Sequence, residues 1–477
     1  MSKQTTANGV IYLSVSSLIF SASGYALNVV LGRTLTPAVY GEYSVLIALA
    51  TIFNLLQTSG LPQALSLYAA RHARQAYDAL IASSIIQLAL TLGTSAFVWL
   101  AAPVLALLLN DRSLIEYIRI LALVFPIYGM FALLGGYHNG LHNFRRQAIM
   151  NGAYSIAKVT LVIGFALAYG LKGAVVGFVL APLIALPLGY AKNTEDSSNR
   201  SLPYRWLIIQ SIPLMAFALF STLQLNIDLF AAKSLGHSDV MAGNYAVALT
   251  LASLLYFGLN ALGAVIYPTV ASLHDLAPKK AARVVRRSFE ILLVMTLPAT
   301  ALIAAYSNNL VTLLFGSKYI YAGSILAILI VAYAFITAFS FLANALNGLG
   351  SSRYSSIIAA IGVLITLTLA VILIPVLGVA GAALANVTGG AVILIAVSVK
   401  LSSRLSYIPN ATVLTKAAVL AVGLYFLGRL ITVPPLVTPL LMAVLLMTYW
   451  TGLIVVRAIP KQDVTDAIAV LSRRKVL

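Results

Sequence analysis

The sequence predicts an all-α polytopic membrane protein. About 14 transmembrane helices are expected: two six-helix lobes related as a parallel repeat around a central cavity, plus two C-terminal helices. Three observations predict this. Hydrophobic residues make up 61% of the 477 and charged residues only 9%, against about 25% charged in a typical soluble domain. Apolar runs long enough for a hydrocarbon core of about 30 Å recur along the whole chain. The chain also matches itself, half against half.

In chain order the apolar runs lie near 9–31, 43–69, 79–109, 115–137, 148–170, 173–191, 206–232, 241–267, 288–306, 324–347, 354–375, 379–399, 412–430 and 436–456. Charge clusters or Gly, Pro and Asn turns separate them. Lipid offers no partner to backbone amides, so each run must be a helix. The first has only Lys3 before it, is too long for a signal-peptide core and lacks a cleavage site, so it reads as a retained helix.

The connections, taken alternately, sort the cations. One side holds 22 of the 30 lysines and arginines, among them Arg71, Arg74, Arg145, Arg146, Arg283, Arg286, Arg287, Arg353 and Arg404. The other holds seven: Arg33, Arg112, Arg119, Lys172, Lys233, Lys318 and Arg429. Lys158 lies well inside a span. Cytoplasmic loops favour Lys and Arg, so both termini are expected inside a cell (plasma) membrane. The net charge of +18 thus reports topology and contact with anionic membrane lipid, and nucleic acid is not expected as a partner. The stretch "LAPKKAARVVRRSFE", Leu276 to Glu290, reads as a surface helix on the inner leaflet.

The longest polar break, "KNTEDSSNRSLPYR", divides an N-lobe (1–191) from a C-lobe (206–400), with 192–205 as a cytoplasmic linker and 401–477 as the two extra helices and a basic tail. The lobes align. "LNVVLGRTLTPAVYGEYSVLIALA" from Leu27 sets Asn28 on Asp228, Arg33 on Lys233 and, after a two-residue gap, Gly41 and Tyr43 on Gly243 and Tyr245. "HNGLHNFRRQAIMNGA" matches "LNGLGSSRYSSIIAAI", and "YGLKGAVVG" matches "PVLGVAGAALA". Each half holds an even number of spans, so both share one orientation, and a substrate site is expected between them near the midplane.

Four stretches carry a family resemblance: "LGRTLTPAVYGEYS", "IDLFAAKSLG", "LLFGSKYIYAG" and "LAVILIPVLGVAGAALANVTGG". Over roughly residues 5–455 the chain resembles the polysaccharide transporter (Wzx-type flippase) branch of the multidrug/oligosaccharidyl-lipid/polysaccharide (MOP) superfamily. The resemblance implies two six-helix lobes around a cavity and outward movement of a lipid-linked oligosaccharide by alternating access. It implies no cofactor and no catalytic residue. Candidate partners on the far side are a glycan polymerase or oligosaccharyltransferase machinery.

An ionisable residue at the bilayer centre costs about 2.5–3.5 kcal/mol on insertion scales and is a functional candidate by default. Lys158, some ten residues from either end of its span, is the deepest. It is expected to meet the diphosphate of a lipid-linked sugar, or else to be a structural lysine bonded to polar groups of other spans; a position facing lipid or packed between helices would remove the headgroup role. Asp228 stands where the first half has Asn28 and where the resembling family commonly has an aspartate. It is open to an ion pair with Lys233 or Lys158, to cation or proton coupling, or to lobe-to-lobe hydrogen bonding. Arg33 could present charge to a departing headgroup or simply snorkel. Arg145, Arg146 and Arg353 fall in equivalent inner loops and are candidates for the cytoplasmic mouth, although charge asymmetry alone predicts them. His138 and His142 have i,i+4 spacing but no third ligand nearby, so no metal site is expected.

No phosphate-cradling loop or nucleophile–base pair appears, so neither ATP hydrolysis nor another enzyme activity is expected. A glycosyltransferase would need a catalytic carboxylate in a substantial outer loop, and those loops hold only Glu42, Asp111, Glu116 and Asp239. A cation-coupled multidrug antiporter of the same superfamily and a lipid II flippase remain as rival readings. An antiporter cavity should hold acids, whereas the deepest charge here is a lysine.

Overall fold

The computed structural model describes residues 3–190, 204–273, 276–405 and 410–456. The predicted linker and basic tail lie outside these residues, apart from Tyr204 and Arg205. Every regular element among the described residues is helical: α1 (Lys3–Thr34), α2 (Pro37–Thr58), α3 (Leu61–Arg71), α4 (Ala76–Leu108), α5 (Leu114–Ala122), α6 (Val124–Gly140), α7 (Phe144–Ala185), α8 (Tyr204–Gln224), α9 (Ile227–Leu235), α10 (Asp239–Leu273), α11 (Pro278–Ala305), α12 (Ser307–Phe315), α13 (Ala322–Gly348), α14 (Ser352–Leu377), α15 (Val379–Leu405), α16 (Ala411–Leu430) and α17 (Thr438–Val455). Each of the fourteen predicted spans falls on one helix or on two consecutive ones, except the fifth and sixth, which share α7.

Eleven helical stretches among the described residues are long and apolar enough to cross a membrane. One, Phe144–Gly189, bends at Gly170 (φ 60°, ψ −138°) into the predicted fifth and sixth spans. α1 and the α8–α9 pair lie on the first and seventh. The second span is broken at Gly60, just before Pro62 of α3. Two expectations need correction. The basic segment from Leu276 is no separate surface helix, because from Pro278 it runs on into the ninth span as α11. At about 42 Å, α11 exceeds the hydrocarbon core, so its basic first turns project beyond it while Ala281, Val285 and Phe289 stay buried. The short α12 was not expected from the sequence.

The chain forms two compact units. The first runs to Ala246 and takes in Ala370–Ala382; the second takes Val247–Leu369 and the chain from Ala383 on. In the first, Leu61, Leu65, Leu80, Leu133 and Tyr137 form a core among α3, α4 and α6. In the second, Leu302, Tyr306, Leu424, Leu445 and Tyr449 join α11, α16 and α17. Large apolar residues such as Ile85, Leu100, Leu167, Leu364, Val419 and Leu440 remain exposed, the pattern of helices whose outer faces meet lipid.

Backbone detail supports the internal repeat. Aligned positions His142 and Gly350 both take positive φ (57° and 71°), and Gly170 and Gly378 match at 60° and 61°. The α6 and α13 ends close alike, with Asn143 N–H bonded to His138 O (2.8 Å) and Ser351 N–H to Leu346 O (3.2 Å). This is the bond of a helix ending on a left-handed residue. The aligned glycines Gly41 and Gly243 touch. A Cβ on Gly41 would lie 2.6 Å from the Gly243 nitrogen, and one on Gly243 1.9 Å from the Pro37 carbonyl oxygen. Gly243→Ala should therefore push α2 from α10 and destabilise the protein by about 1–3 kcal/mol. Gly258→Ala, which meets nothing within 4 Å, serves as the control, and equal melting temperatures for the two variants would contradict this account.

Candidate functional site

Lys158 sits near the middle of the first straight part of α7, where α7 packs along α1. Phe20, Gly24 and Asn28 recur every fourth residue and so share one face of α1. The Lys158 ammonium lies 4.9 Å from the Phe20 ring centre and 5.5 Å from that of Tyr154, and a Cβ on Gly24 would stand 3.9 Å from Nζ. Tyr154 stacks on Phe20 at 5.8 Å and touches Tyr128 (5.6 Å) and Phe131 (5.2 Å). Lys158 thus lies at a helix–helix interface but remains half-buried there. It has no carboxylate partner among the described residues, and aromatic faces supply what compensation it receives. The arrangement offers a positive charge and apolar rings on one patch. The sequence identified the lysine and missed the rings, whose positions on α1, α6 and α7 only packing brings together.

Asn28 lies one turn along α1 from Gly24. Its amide donates to Gly24 O (2.9 Å), and its oxygen accepts from Tyr40 Oη (3.2 Å). The aligned Asp228, on the first turn of α9, is fully buried and likewise takes a tyrosine hydroxyl, from Tyr245 Oη at 2.6 Å, with Leu229 N–H on its other oxygen at 3.0 Å. Of the readings open to Asp228, an ion pair with Lys233 is not seen among the described residues, because Lys233 pairs with Asp111 and Asp239. Five residues of helix turn through about 140° beyond a full circle, so the two side chains point to different neighbours. Tyr245→Phe should destabilise the fold by about 1–3 kcal/mol, since a buried carboxylate oxygen loses a donor; thermal unfolding that matches the native protein would argue against this.

Lys233 instead enters a group of acids at the cation-poor ends of the helices. Its Nζ donates to Asp111 Oδ2 at 2.7 Å and to Asp239 Oδ1. Carboxylate oxygens of Glu42, Asp111 and Asp239 lie within 4.8 Å of one another, so the ammonium is their countercharge. Ser113 donates to Asp111 Oδ1 from both its amide (3.0 Å) and its hydroxyl (2.6 Å). Burial raises the Asp111 carboxyl, but the hydrogen bonds from Lys233 and Ser113 and the nearby ammonium outweigh it and hold the group below its ordinary value. Ser234 Oγ donates to Leu108 O (2.6 Å) and Asn110 Nδ2 meets His237 Nδ1 (3.2 Å). These bonds tie the α4–α5 turn of the first repeat to α9 and the start of α10 in the second.

Arg33 is exposed at the end of α1, and Arg145 and Arg353 are exposed on the first turns of α7 and α14. Arg146 donates from Nε to Leu188 O at 3.0 Å. The two histidines diverge: His138 Nε2 meets Gly189 O at 2.9 Å, while His142 bends back to Gly140 O at 3.1 Å. They form no ligand pair. Sequence reasoning also missed the buried amide pair Gln57 and Gln87, in which Gln87 donates to Gln57 O and Gly129 O (3.1 and 3.2 Å). Neutral amides inside apolar runs gave no signal.

The fold is shared with solved transporters. A lipid II flippase, MurJ, in an inward closed conformation superposes with a TM-score of 0.78 at 12% identity, over 94% of this chain and 99% of that one. An inward-facing multidrug resistance MATE transporter of the MOP superfamily gives 0.70 at 16% identity, over 83% and 98%. A MOP superfamily transporter from Pyrococcus furiosus gives 0.62 at 17% identity, over 86% and 100%. In sequence, an uncharacterised membrane protein of Methanocaldococcus jannaschii is 32% identical over 144 residues, 30% of this chain and 28% of that protein's length. The polysaccharide biosynthesis protein family matches residues 6–274, more than half the chain, and on that match the chain belongs to this family.

Proposed function

We propose that the protein moves polyprenyl- or dolichyl-diphosphate oligosaccharide from the inner to the outer leaflet of the plasma membrane by alternating access, with both termini cytoplasmic. The observation that carries this reading is Lys158, a mid-span ammonium with no carboxylate among the described residues, edged by aromatic rings and, although set at the α1–α7 interface, not wholly covered there. A diphosphate needs the charge, and sugar C–H faces suit the rings. The lipid tail stays in the bilayer while lobes 1–191 and 206–400 rock about the headgroup. Asn28 shares the Lys158 face of α1 and extends the polar track, and Asp228 with Tyr245 is the candidate for ion coupling. Arg145, Arg146 and Arg353 meet the headgroup at the cytoplasmic mouth, and Arg33 faces it on departure. With the cell interior negative, each negative charge moved outward gains about 2.3 kcal/mol per 100 mV, so ATP is not required.

The test is reconstitution of the purified protein in liposomes carrying a fluorescent polyprenyl-diphosphate oligosaccharide. Crossing of the label, quickened by a potential that draws anions across, is the expected result. Export of a cationic dye against a sodium or proton gradient, with no crossing of the label, would replace this reading with a multidrug antiporter.

A further inference from the structure

The cation-poor end of the first unit carries a second charged site that the transport reading does not use. α4 and α5 border an open pocket of about 530 Å³ lined by Trp99, Arg112, Ser113, Glu116 and Arg119. Glu116 and Arg119 lie three apart on α5 and share one face, and Arg112, in the turn just before α5, lines the same pocket. The only acid among the lining residues is already engaged, because Glu116 Oε1 lies 2.7 Å from Lys172 Nζ. The two arginines are not. The Arg119 guanidinium stacks over the Trp99 ring at 4.5 Å, and its Nε is buried without a hydrogen-bond partner among the described residues. Arg112 is exposed and pairs with no acid among them. The site is therefore an open concavity with two guanidinium groups that pair with no acid among the described residues, one set over an indole.

Depth narrows the ligand. The run Leu114–Gly140 counts 27 residues, about 40 Å of helix, so Arg119 lies about 12 Å from its midpoint and Arg112 lies beyond its end, which is about 20 Å from that midpoint. A hydrocarbon core of about 30 Å ends between them, at the level where lipid phosphates lie and where tryptophan is enriched. A guanidinium is weakly hydrated and binds phosphate oxygens in pairs, and Arg119 lines the pocket beside Trp99 with its Nε unpartnered among the described residues. We propose that this pocket binds a phosphate group through Arg112 and Arg119, with Trp99 orienting Arg119. An anionic phospholipid headgroup and free phosphate share this chemistry.

The test uses full-length protein in neutral detergent, titrated separately with short-chain phosphatidylglycerol, inorganic phosphate and a phosphate-free glycolipid of equal chain length. Binding is read by thermal shift and by native mass spectrometry. Phosphatidylglycerol should bind, and Arg112→Gln or Arg119→Gln should each weaken it about tenfold, the loss of one charge-assisted hydrogen bond. Arg119→Lys keeps the charge but loses the planar fork, so it should fall between; it also guards against a misfolded Gln variant. Glu116→Gln should bind as tightly as the native protein or more so. Protection by inorganic phosphate as well identifies free phosphate as a ligand, and protection by phosphatidylglycerol alone identifies the lipid headgroup. Equal binding of the phosphate-free glycolipid overturns the proposal. So does unchanged phosphatidylglycerol binding in both arginine variants, since the cation-rich side would then account for it.

Discussion

Lys158→Ala should slow the crossing of a polyprenyl-diphosphate oligosaccharide by about 10- to 100-fold, the effect of losing one or two charge-assisted hydrogen bonds to the moving headgroup. Stability should not fall with it. An ammonium in mid-membrane without a carboxylate opposes insertion by about 2.5–3.5 kcal/mol, and the rings of Phe20 and Tyr154 return only about 1–2 kcal/mol. The neutral, isosteric Lys158→Met should therefore melt at or above the native temperature while losing transport. Lys158→Arg keeps the charge and should retain most of the rate. A variant that loses stability and rate together would mark Lys158 as a structural bond between α1 and α7, and the headgroup role would fall.

Lys233→Ala should be strongly destabilising, by about 2–4 kcal/mol, because it leaves Asp111, close to Glu42 and the more exposed Asp239, without this countercharge. Asp111→Asn in the same background should recover part of that loss, which a double-mutant cycle in chemical unfolding would measure. The pair also has a defined pH window. Asp111 lies below the ordinary carboxylate value, so its contribution is complete above about pH 4 and disappears as pH falls through the lowered folded value. For Lys233 burial acts downward, but the hydrogen bonds and charges of Asp111 and Asp239 prevail and leave it above the ordinary lysine value. Its contribution is therefore complete below about pH 10 and is lost as pH rises further. The difference in melting temperature between native protein and Lys233→Ala should be level from about pH 5 to 9 and shrink beyond either end. A steep change near neutrality would mean that another group, Glu42 in the same cluster being the nearest candidate, governs it.

How much was legible in the sequence follows from the physics of each feature. Helices and their order were legible because lipid forbids an unsatisfied backbone, so hydropathy alone specifies each span. The repeat was legible where a turn demands one conformation: Gly170 and Gly378 share a positive φ, and a non-glycine would be strained at both. Breaks inside a span were not legible. Gly60 and Asn226 interrupt apolar runs without changing their composition, and α12 adds a helix where no run of spanning length exists.

The candidate site divides in the same way. Lys158 and Asp228 stood out because ionisable groups are rare in apolar runs, and that rarity needs no coordinates to recognise. Their partners did not stand out. Asp228 chose Tyr245 over Lys233, and Lys233 chose Asp111, 122 positions away, because helix rotation and packing decide which side chains face each other. The Phe20, Tyr128 and Tyr154 rings and the Arg119–Trp99 stack are invisible for the same reason, since aromatic residues are common in any membrane span. By itself, then, the sequence determined that the chain is a duplicated bundle of membrane helices and which few charges lie deep within it, because insertion energy acts residue by residue. Only the tertiary structure decided what those charges touch, because pairing depends on the rotation and approach of helices far apart in the chain.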